Sequence, residues 1–271
     1  MTTRNESDWY AHPLYYDIIF DGDTGREADF LEAVLDHYGP KRAGAAEVLE
    51  PACGSGRLVI ELARRGHRVD GFDLSRPMLN HARLRRRGLP EAIRKRISLR
   101  EARMQSFRPK TGQYDLVHCL LSTFKYLLTE ADAAAHLRRV GRALRPGGLY
   151  VLGVHLSDYR NRGGDHEHWN GRQDGISVTC DTDTGPPDPA TRIEHLTNRL
   201  RVRRAGKRRT ETITTTWTCR TYDAGQLRSL ISKTPGLEVA GCHDFSHQLN
   251  CRRAFDDAQD DLVLVLRKKP D

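Results

Sequence analysis

The stretch Val48-Leu49-Glu50-Pro51-Ala52-Cys53-Gly54-Ser55-Gly56-Arg57-Leu58 limits what this chain can become more than any other. A short apolar run meets an acidic residue, then two glycines one residue apart, and then apolar residues at helical spacing: Leu58, Val59, Leu62 and Ala63. That order reads as a strand, a tight turn and the start of an amphipathic helix. Glycine at 54 and 56 permits backbone angles that a side chain forbids and lets a bound molecule come close to the main chain. The turn is therefore a docking surface, and Gly66 stands where a left-handed cap ends the helix.

A dinucleotide-binding turn would carry a third glycine where this chain has Val59. Instead, a second strand over 68–72 ends in Asp73, placed to accept hydrogen bonds from a ribose. Glu50 four residues before Gly54, the paired glycines and this second acidic residue together resemble the class I S-adenosylmethionine (SAM)-dependent methyltransferases, whose first motif reads acidic-x-x-x-Gly-x-Gly. The stretches Gly71-Phe72-Asp73-Leu74-Ser75-Arg76-Pro77-Met78-Leu79 and Leu144-Arg145-Pro146-Gly147-Gly148-Leu149 are similar to later landmarks of that family, in the same order. The resemblance spans roughly residues 45–155, and the joined pattern is far more specific than any one piece.

What the resemblance implies is an α/β fold: a Rossmann-like seven-stranded, mostly parallel sheet with helices on both faces and an antiparallel β insertion after strand five. It implies SAM as cofactor and S-adenosylhomocysteine (SAH) as product. The implied cofactor site comprises Glu50, Ala52, Cys53, Gly54, Ser55, Gly56, Asp73, Leu74, Met78, Arg103, Met104 and Leu120. In the family an Asp-Met-x-x-Phe pattern follows the third strand and holds the adenine. Here Met104 and Phe107 match, but Arg103 stands in the acidic position, and a guanidinium cannot accept a hydrogen bond from an adenine amino group.

The organisation expected along the chain is an aromatic N-terminal segment or lid over 1–23, a SAM-binding core over 24–156, the insertion over 157–222, and the C-terminal part of the core sheet over 223–271. The first segment carries Trp9, Tyr10, Tyr15, Tyr16 and Phe20. These rings pack and tether the terminus or, as the family's Tyr-Asp pair implies for Tyr16-Asp17, close over the cofactor. Aromatic faces suit a sulfonium or a methylammonium. Thr24 with Glu27, Thr129 with Asp132, and Asp223 with Gln226 read as helix capping boxes. Residues 114–121 form a nearly continuous apolar run, as in a central parallel strand buried on both faces. Ligands in such sheets bind beyond the carboxyl ends of the strands, which puts Thr123, Lys125, Tyr126 and His155 near the reacting methyl group.

From 176 to 222 residues alternate as in antiparallel strands, with Ala205-Gly206 as a hairpin turn. The family's small-molecule members often place a substrate lid or a homodimer contact there. Asp165-His166-Glu167-His168-Trp169 invites a metal reading, but in a Gly-rich loop it lacks a third ligand at recognisable spacing, so no metal is expected. Residues 245–260 carry no assignable pattern.

The charge of +8 on 271 residues raises the question of a polyanionic partner. The basic residues are not interleaved with aromatics, the seven between 199 and 209 read as the solvated face of a strand and turn, and the Asn/Asp-Pro-Pro-aromatic motif of base-directed family members is absent after the fourth strand. Nucleic acid is therefore not the expected partner. No apolar run approaches the ~18 residues that span a bilayer, and none of the six cysteines is paired as CxxC, so a cytoplasmic protein with reduced thiols is expected.

The reaction implied by the resemblance is methyl transfer to a small-molecule acceptor, with nitrogen as one acceptor atom. The competing readings are an RNA- or protein-directed methyltransferase and a SAM-binding protein without turnover. Direct displacement from a sulfonium expels a neutral thioether and demands alignment rather than an acid. No catalytic dyad is therefore required, and His155, His118 and Lys125 are the candidates if a base is used. Acceptor contacts are expected from Tyr10, Tyr15, Tyr16, Thr123, Tyr126, His155, Trp169 and Arg220.

Overall fold

The computed structural model describes residues 9–110, 112–161, 163–207 and 209–270. A 3-10 turn at Trp9–Ala11 leads into α1 (Pro13–Phe20) and, after a short 3-10 turn, α2 (Thr24–Tyr38). The core then alternates as β1 (Glu47–Pro51), α3 (Arg57–Arg64), β2 (Arg68–Asp73), α4 (Arg76–Arg87), the single turn α5 (Glu91–Arg94), β3 (Ile97–Glu101), β4 (Tyr114–Cys119), α6 (Glu130–Ala143) and β5 (Leu144–His155). Four strands follow, β6 (Asp165–Gln173), β7 (Ile176–Thr184), β8 (Ile193–Arg204) and β9 (Glu211–Arg220). The chain ends with α7 (Ala224–Ser232), β10 (Leu237–His243) and β11 (Asp261–Lys268).

The expected seven-stranded sheet is present, in the order β10-β11-β5-β4-β1-β2-β3. β11 runs antiparallel to both β5 and β10, and the remaining pairs are parallel. Alternation along the strands separates two cores: Leu49 faces α6 and α7, while Val48 faces α2 and α3. Every residue of β4 is buried, as its position in the middle of the sheet requires. The chain builds β1, β2 and β3 outward in one direction and then returns to place β4 on the other side of β1. That reversal opens a crevice at the carboxyl ends of β1 and β4.

The insertion after β5 is a four-stranded antiparallel sheet, β6-β7-β8-β9. Its inner face is set by register: Trp169, Cys180, Leu200 and Ile213 stand in one row across the strands. This row packs on Trp9, Tyr15 and Ile18 of the N-terminal segment. Residues 9–20 thus lie between the antiparallel sheet and α4, and the part of the expected N-terminal segment before Trp9 lies outside the described residues.

Several local readings change. Thr24 is the first residue of α2 and makes no cap, since Asp23 precedes the helix without a side-chain hydrogen bond; Glu27 turns inward to Arg57. Thr129 accepts from the Asp132 amide without a reciprocal bond, whereas Asp223 and Gln226 form the full box. Residues 165–169 belong to a strand, not a Gly-rich loop, because their alternation matches β7 residue for residue. β5 begins at Leu144, through the irregularity that absorbs Pro146-Gly147-Gly148. Among the described residues no helix is long and apolar enough to cross a membrane.

Candidate active site

The glycine turn and the end of β2 meet. The Gly54 amide donates to Asp73 Oδ2 at 2.8 Å, and the Ser75 amide donates to Asp73 Oδ1 at 2.7 Å. Burial pushes the Asp73 carboxyl above its ordinary value, with the two amides pulling the other way. Gly54 has φ +52°, and a Cβ built there meets no atom within 4 Å. Gly56, at φ +76°, has its Cβ position 3.0 Å from Ala82 Cβ. The two glycines therefore differ: Gly56 lets the turn pack on α4, and Gly54 keeps open the space a ligand would enter.

A small cavity at the β1/β4 reversal is lined by Tyr16, Glu50, Ala52, Cys53, Gly54, Arg57, Leu120, Leu121 and Thr123, among others. Glu50 is 9% exposed and its Oε2 has no hydrogen-bond partner. Burial pushes its carboxyl up to about 8, against the opposing pull of Arg57. Such an oxygen is complementary to an amino group that is absent from the protein itself. Arg57 is also buried, ion-paired with Glu27 and bonded to Thr24 Oγ1 at 3.1 Å. The donor set thus fits an adenosyl amino acid: an acceptor carboxylate for the ribose end at Asp73, another for the amino end at Glu50, and main chain between.

A second cavity of 490 Å³ shares Tyr16, Leu121 and Thr123 with the first. Its floor is the β4 and β5 ends, Leu121–Thr123, Lys125, Tyr126 and His155–Asp158, with Phe245, His247 and Asp261. The N-terminal segment forms its side through Trp9, Tyr10 and Tyr16, and the antiparallel sheet forms its roof through Glu167, Trp169, Asn198 and Trp217. Tyr10 and Tyr126 hydroxyls are hydrogen-bonded at 2.7 Å, which ties the side to the floor. Burial drives Tyr16 up to about 12 and raises Tyr10 as well, so both are neutral phenols. Ala52, Leu121, Ser122 and His247 are four of the six non-glycine residues with positive φ among those described; backbone in this region is sparsely populated and gathers at sites where geometry is imposed.

Of the acceptor contacts expected from sequence, Tyr10, Tyr16, Thr123, Tyr126, His155 and Trp169 line the larger cavity. Tyr15 and Arg220 do not. Tyr15 points to the far end of the antiparallel sheet, where its hydroxyl meets Glu211 and Arg204. Arg220 turns beneath the 3-10 turn at Thr123–Tyr126 to donate to the Leu128 carbonyl. Asp17, paired with Tyr16 in sequence, faces the opposite way and latches α1 to α4 through His81 at 2.8 Å and Arg85 at 2.9 Å. Among the cofactor residues, Leu74 is 51% exposed, Arg103 is exposed, and Met78 and Met104 are buried; these four line neither cavity. Asp73, Ser55 and Gly56 line neither cavity either.

The three candidate bases separate cleanly. His118 is fully buried, burial lowers it to about 3, and it lines neither cavity. Lys125 lines the larger cavity but is committed to the Glu194 carboxylate at 2.6 Å. His155 lines the cavity with Nδ1 bonded to Asp261 Oδ1. Its amide donates to Ser122 Oγ at 2.7 Å. A carboxylate on Nδ1 fixes the tautomer and leaves the lone pair on Nε2.

Glu27, Arg57, Glu167, Asn198 and Asp261 are site residues that sequence reasoning missed. Arg57 had a signal: it opens the helix whose next residues are all apolar. Glu167 had one too, since it alternates with His166 and His168, which face outward to Asp183 and Asp181 at 2.7 Å. Asp261 had none, because its neighbour His155 is brought alongside only by strand pairing.

Residues 48–148 match a family model described as a methyltransferase domain. Over 128 residues the chain is 32% identical to the putative methyltransferase YqeM of Bacillus subtilis, covering 47% of each. Over 140 residues it is 32% identical to the dTDP-3-amino-3,6-dideoxy-alpha-D-glucopyranose N,N-dimethyltransferase of Streptomyces fradiae, covering 51% of this chain and 50% of that one. The chain thus spans about half the length of the curated relatives it matches. Among solved structures, the CcbJ methyltransferase of Streptomyces caelestis superposes with a TM-score of 0.70 at 22% identity over 95% of both chains. SAM-bound CalS10, an amino pentose methyltransferase of Micromonospora echinaspora, does so with a TM-score of 0.67 at 20% identity over 99% of this chain and 100% of the other. At these identities the likeness is one of fold, and it includes the antiparallel sheet as well as the core.

Proposed function

We infer that the chain, whose residues 48–148 form a methyltransferase domain, is a class I SAM-dependent methyltransferase that moves a methyl group to nitrogen on a small-molecule acceptor. The observation that carries this reading is the adjacency of two cavities that share Tyr16, Leu121 and Thr123. The smaller is lined by Glu50 and by the glycine turn, whose Gly54 amide is bonded to Asp73 behind it, and the larger has the volume of a small-molecule site, within the usual ~300–1,000 Å³. Relatives that act on amino sugars support nitrogen as the acceptor atom.

When bound, SAM supplies an activated methyl on its sulfonium sulfur, and the neutral thioether that departs needs no acid. Gly54 presents its open backbone to the cofactor, Asp73 holds the ribose, and Glu50 holds the amino group. Tyr10, Tyr16 and Tyr126 wall the acceptor from water and keep its approach narrow. His155 Nε2 accepts the proton of an ammonium acceptor, the N–H electron pair staying on nitrogen as the nucleophile. Asp261 then stabilises the imidazolium.

The test is calorimetric titration with SAH followed by turnover with methyl-labelled SAM and amino sugars. One-to-one SAH binding and label transfer to the amine are expected. Absence of SAH binding in folded protein would remove the reading, and binding without transfer to any amine would leave a sensor in place of an enzyme.

A further inference from the structure

The roof of the larger cavity carries a polar row on an otherwise apolar face. Glu167 stands opposite Thr182, and Thr182 opposite Asn198, so the three share one row across β6, β7 and β8. Side chains so placed on neighbouring strands are within reach of one another, and Asn198 Nδ2 donates to Thr182 Oγ1 at 2.8 Å. Asn198 is 1% exposed and lines the cavity, and its Oδ1 has no partner. Glu167 has no ion pair among the described residues. A buried acceptor without a donor is costly to keep, and Asn198 Oδ1, with the half-buried Glu167 carboxylate in the same row, calls for N–H or O–H donors from a ligand.

The charge around the row has a definite sign. Eight carboxylates line the cavity against one lysine, one arginine and two histidines, and Lys125 is paired with Glu194 at 2.6 Å, Arg26 with Asp23 at 3.0 Å and His155 with Asp261. Glu167, Asp165 and Asp260 are left without a basic partner among the described residues. Burial pushes the Glu167 carboxyl up, with His155 and Lys125 pulling the other way. A dianionic pyrophosphate in this cavity would meet uncompensated carboxylates and no unpaired lysine or arginine among the described residues.

We propose that the Glu167-Thr182-Asn198 row is an acceptor subsite for a phosphate-free amine, with Glu167 holding the protonated amine and Asn198 Oδ1 taking a neighbouring hydroxyl or N–H. The proposal rests on the methyltransferase reading and narrows it, since it sets this chain apart from relatives named for dTDP-linked amino sugars. Glu167 is a specificity-determining residue here, and His155 on the facing floor remains the group that removes the proton.

All three tryptophans of the chain, Trp9, Trp169 and Trp217, line this cavity, so intrinsic fluorescence reports its occupancy. The experiment titrates the SAH-loaded protein with three probes: methyl 3-amino-3,6-dideoxy-α-D-glucopyranoside, its N-acetyl derivative, and the dTDP-linked form of the same amino sugar. The free amine is expected to bind about tenfold more tightly than either of the others, as loss of one charged hydrogen bond predicts. Glu167→Gln should erase that preference while SAH affinity and Tm stay at wild-type values, and Glu167→Asp should retain part of it. A salt titration of the wild type, in which free-amine binding weakens as ionic strength rises, reads the same charge without any variant. Equal or tighter binding of the dTDP-linked sugar, a preference unchanged in Glu167→Gln, or binding of none of the three would overturn the proposal. Loss of SAH binding would instead strike the methyltransferase reading, and the titration run without SAH keeps the two apart.

Discussion

On the proposed reading, the crevice below and the roof above would recognise their ligands by different means. At the end of the parallel sheet the contacts would come from main chain around Gly54 and from two carboxylates, Asp73 at the last position of β2 and Glu50 at the last but one of β1. In the roof they would come from side chains on strands whose partners in the row lie 15 and 16 residues away in sequence. Recognition through the backbone needs an unusual backbone, and so it leaves glycines and turns. Recognition through strand side chains needs only that a residue be on the inner face, which pairing register decides.

The largest effect separating the two regions is expected at Arg57. Its guanidinium ties the glycine turn to α2 through the buried Glu27. Arg57→Met leaves that carboxylate buried and unpaired, at a cost of about 3–5 kcal/mol. Chemical denaturation should show the whole core weakened. A loss confined to less than about 0.5 kcal/mol, the size of an ordinary surface change, would make the crevice less rigid than described.

Gly54→Val comes next. A β-branched residue in left-handed backbone costs about 1–2 kcal/mol, and its side chain would occupy the open space beside the turn. SAH affinity measured by calorimetry should fall by about a hundredfold, roughly 2.7 kcal/mol. Binding of a free amine in the roof, read by tryptophan fluorescence, should stay within about twofold, because nothing in the roof row touches the turn.

Glu50 sharpens the comparison through pH. Its folded-state value of about 8 lies above the ordinary 4.5, so between these limits the folded protein holds a proton that the unfolded chain releases. Its contribution to stability is therefore present at low pH and is lost progressively as pH rises from 4.5 toward 8. Glu50→Gln should remove that loss: relative to wild type its Tm should gain at pH 8 and be nearly unchanged at pH 4. The same variant should bind SAH about tenfold more weakly at pH 8, where a charged acceptor is lost. A Tm difference that does not vary with pH would mean that Glu50 is ionised at neutral pH.

The smallest effect is expected on the outward face of the roof. Arg201 pairs with Asp181 at 2.6 Å but is half exposed, and exposed pairs contribute about 0–1 kcal/mol. Arg201→Ala should leave SAH affinity and amine binding unchanged, with a Tm shift under about 2 °C. A marked loss of either activity would give the basic strand a role that its exposure does not explain.

How much of this was legible in the sequence follows the same division. The strand, turn and helix around Gly54, the carboxylate at Asp73 and the succession of strand segments along the chain could be read because each leaves a local pattern. The crevice was legible for that reason. Thr24 and Glu27 matched a capping pattern just as well, yet tertiary pairing with Arg57 overrode it. In the roof, Glu167 was hidden inside Asp165-His166-Glu167-His168-Trp169, where four ligand-like residues suggest a cluster. Alternation splits them instead, the histidines outward and Glu167 inward. Tyr15 and Arg220 had suitable chemistry but face away from the cavity, and no local rule distinguishes Tyr15 from Tyr16 at adjacent positions of a helix that is buried on two sides. The His155–Asp261 pair joins residues more than 100 apart in sequence, and only the antiparallel registration of β5 and β11 brings them together.

The most direct test of the central claim is a crystal structure of the protein with SAH bound. The account predicts density with the ribose at Asp73, the amino group at Glu50 and the sulfur facing Tyr16 and Thr123, where the crevice opens into the larger cavity. SAH lying wholly within the cavity under the antiparallel sheet, with the glycine turn and Asp73 untouched, would contradict it.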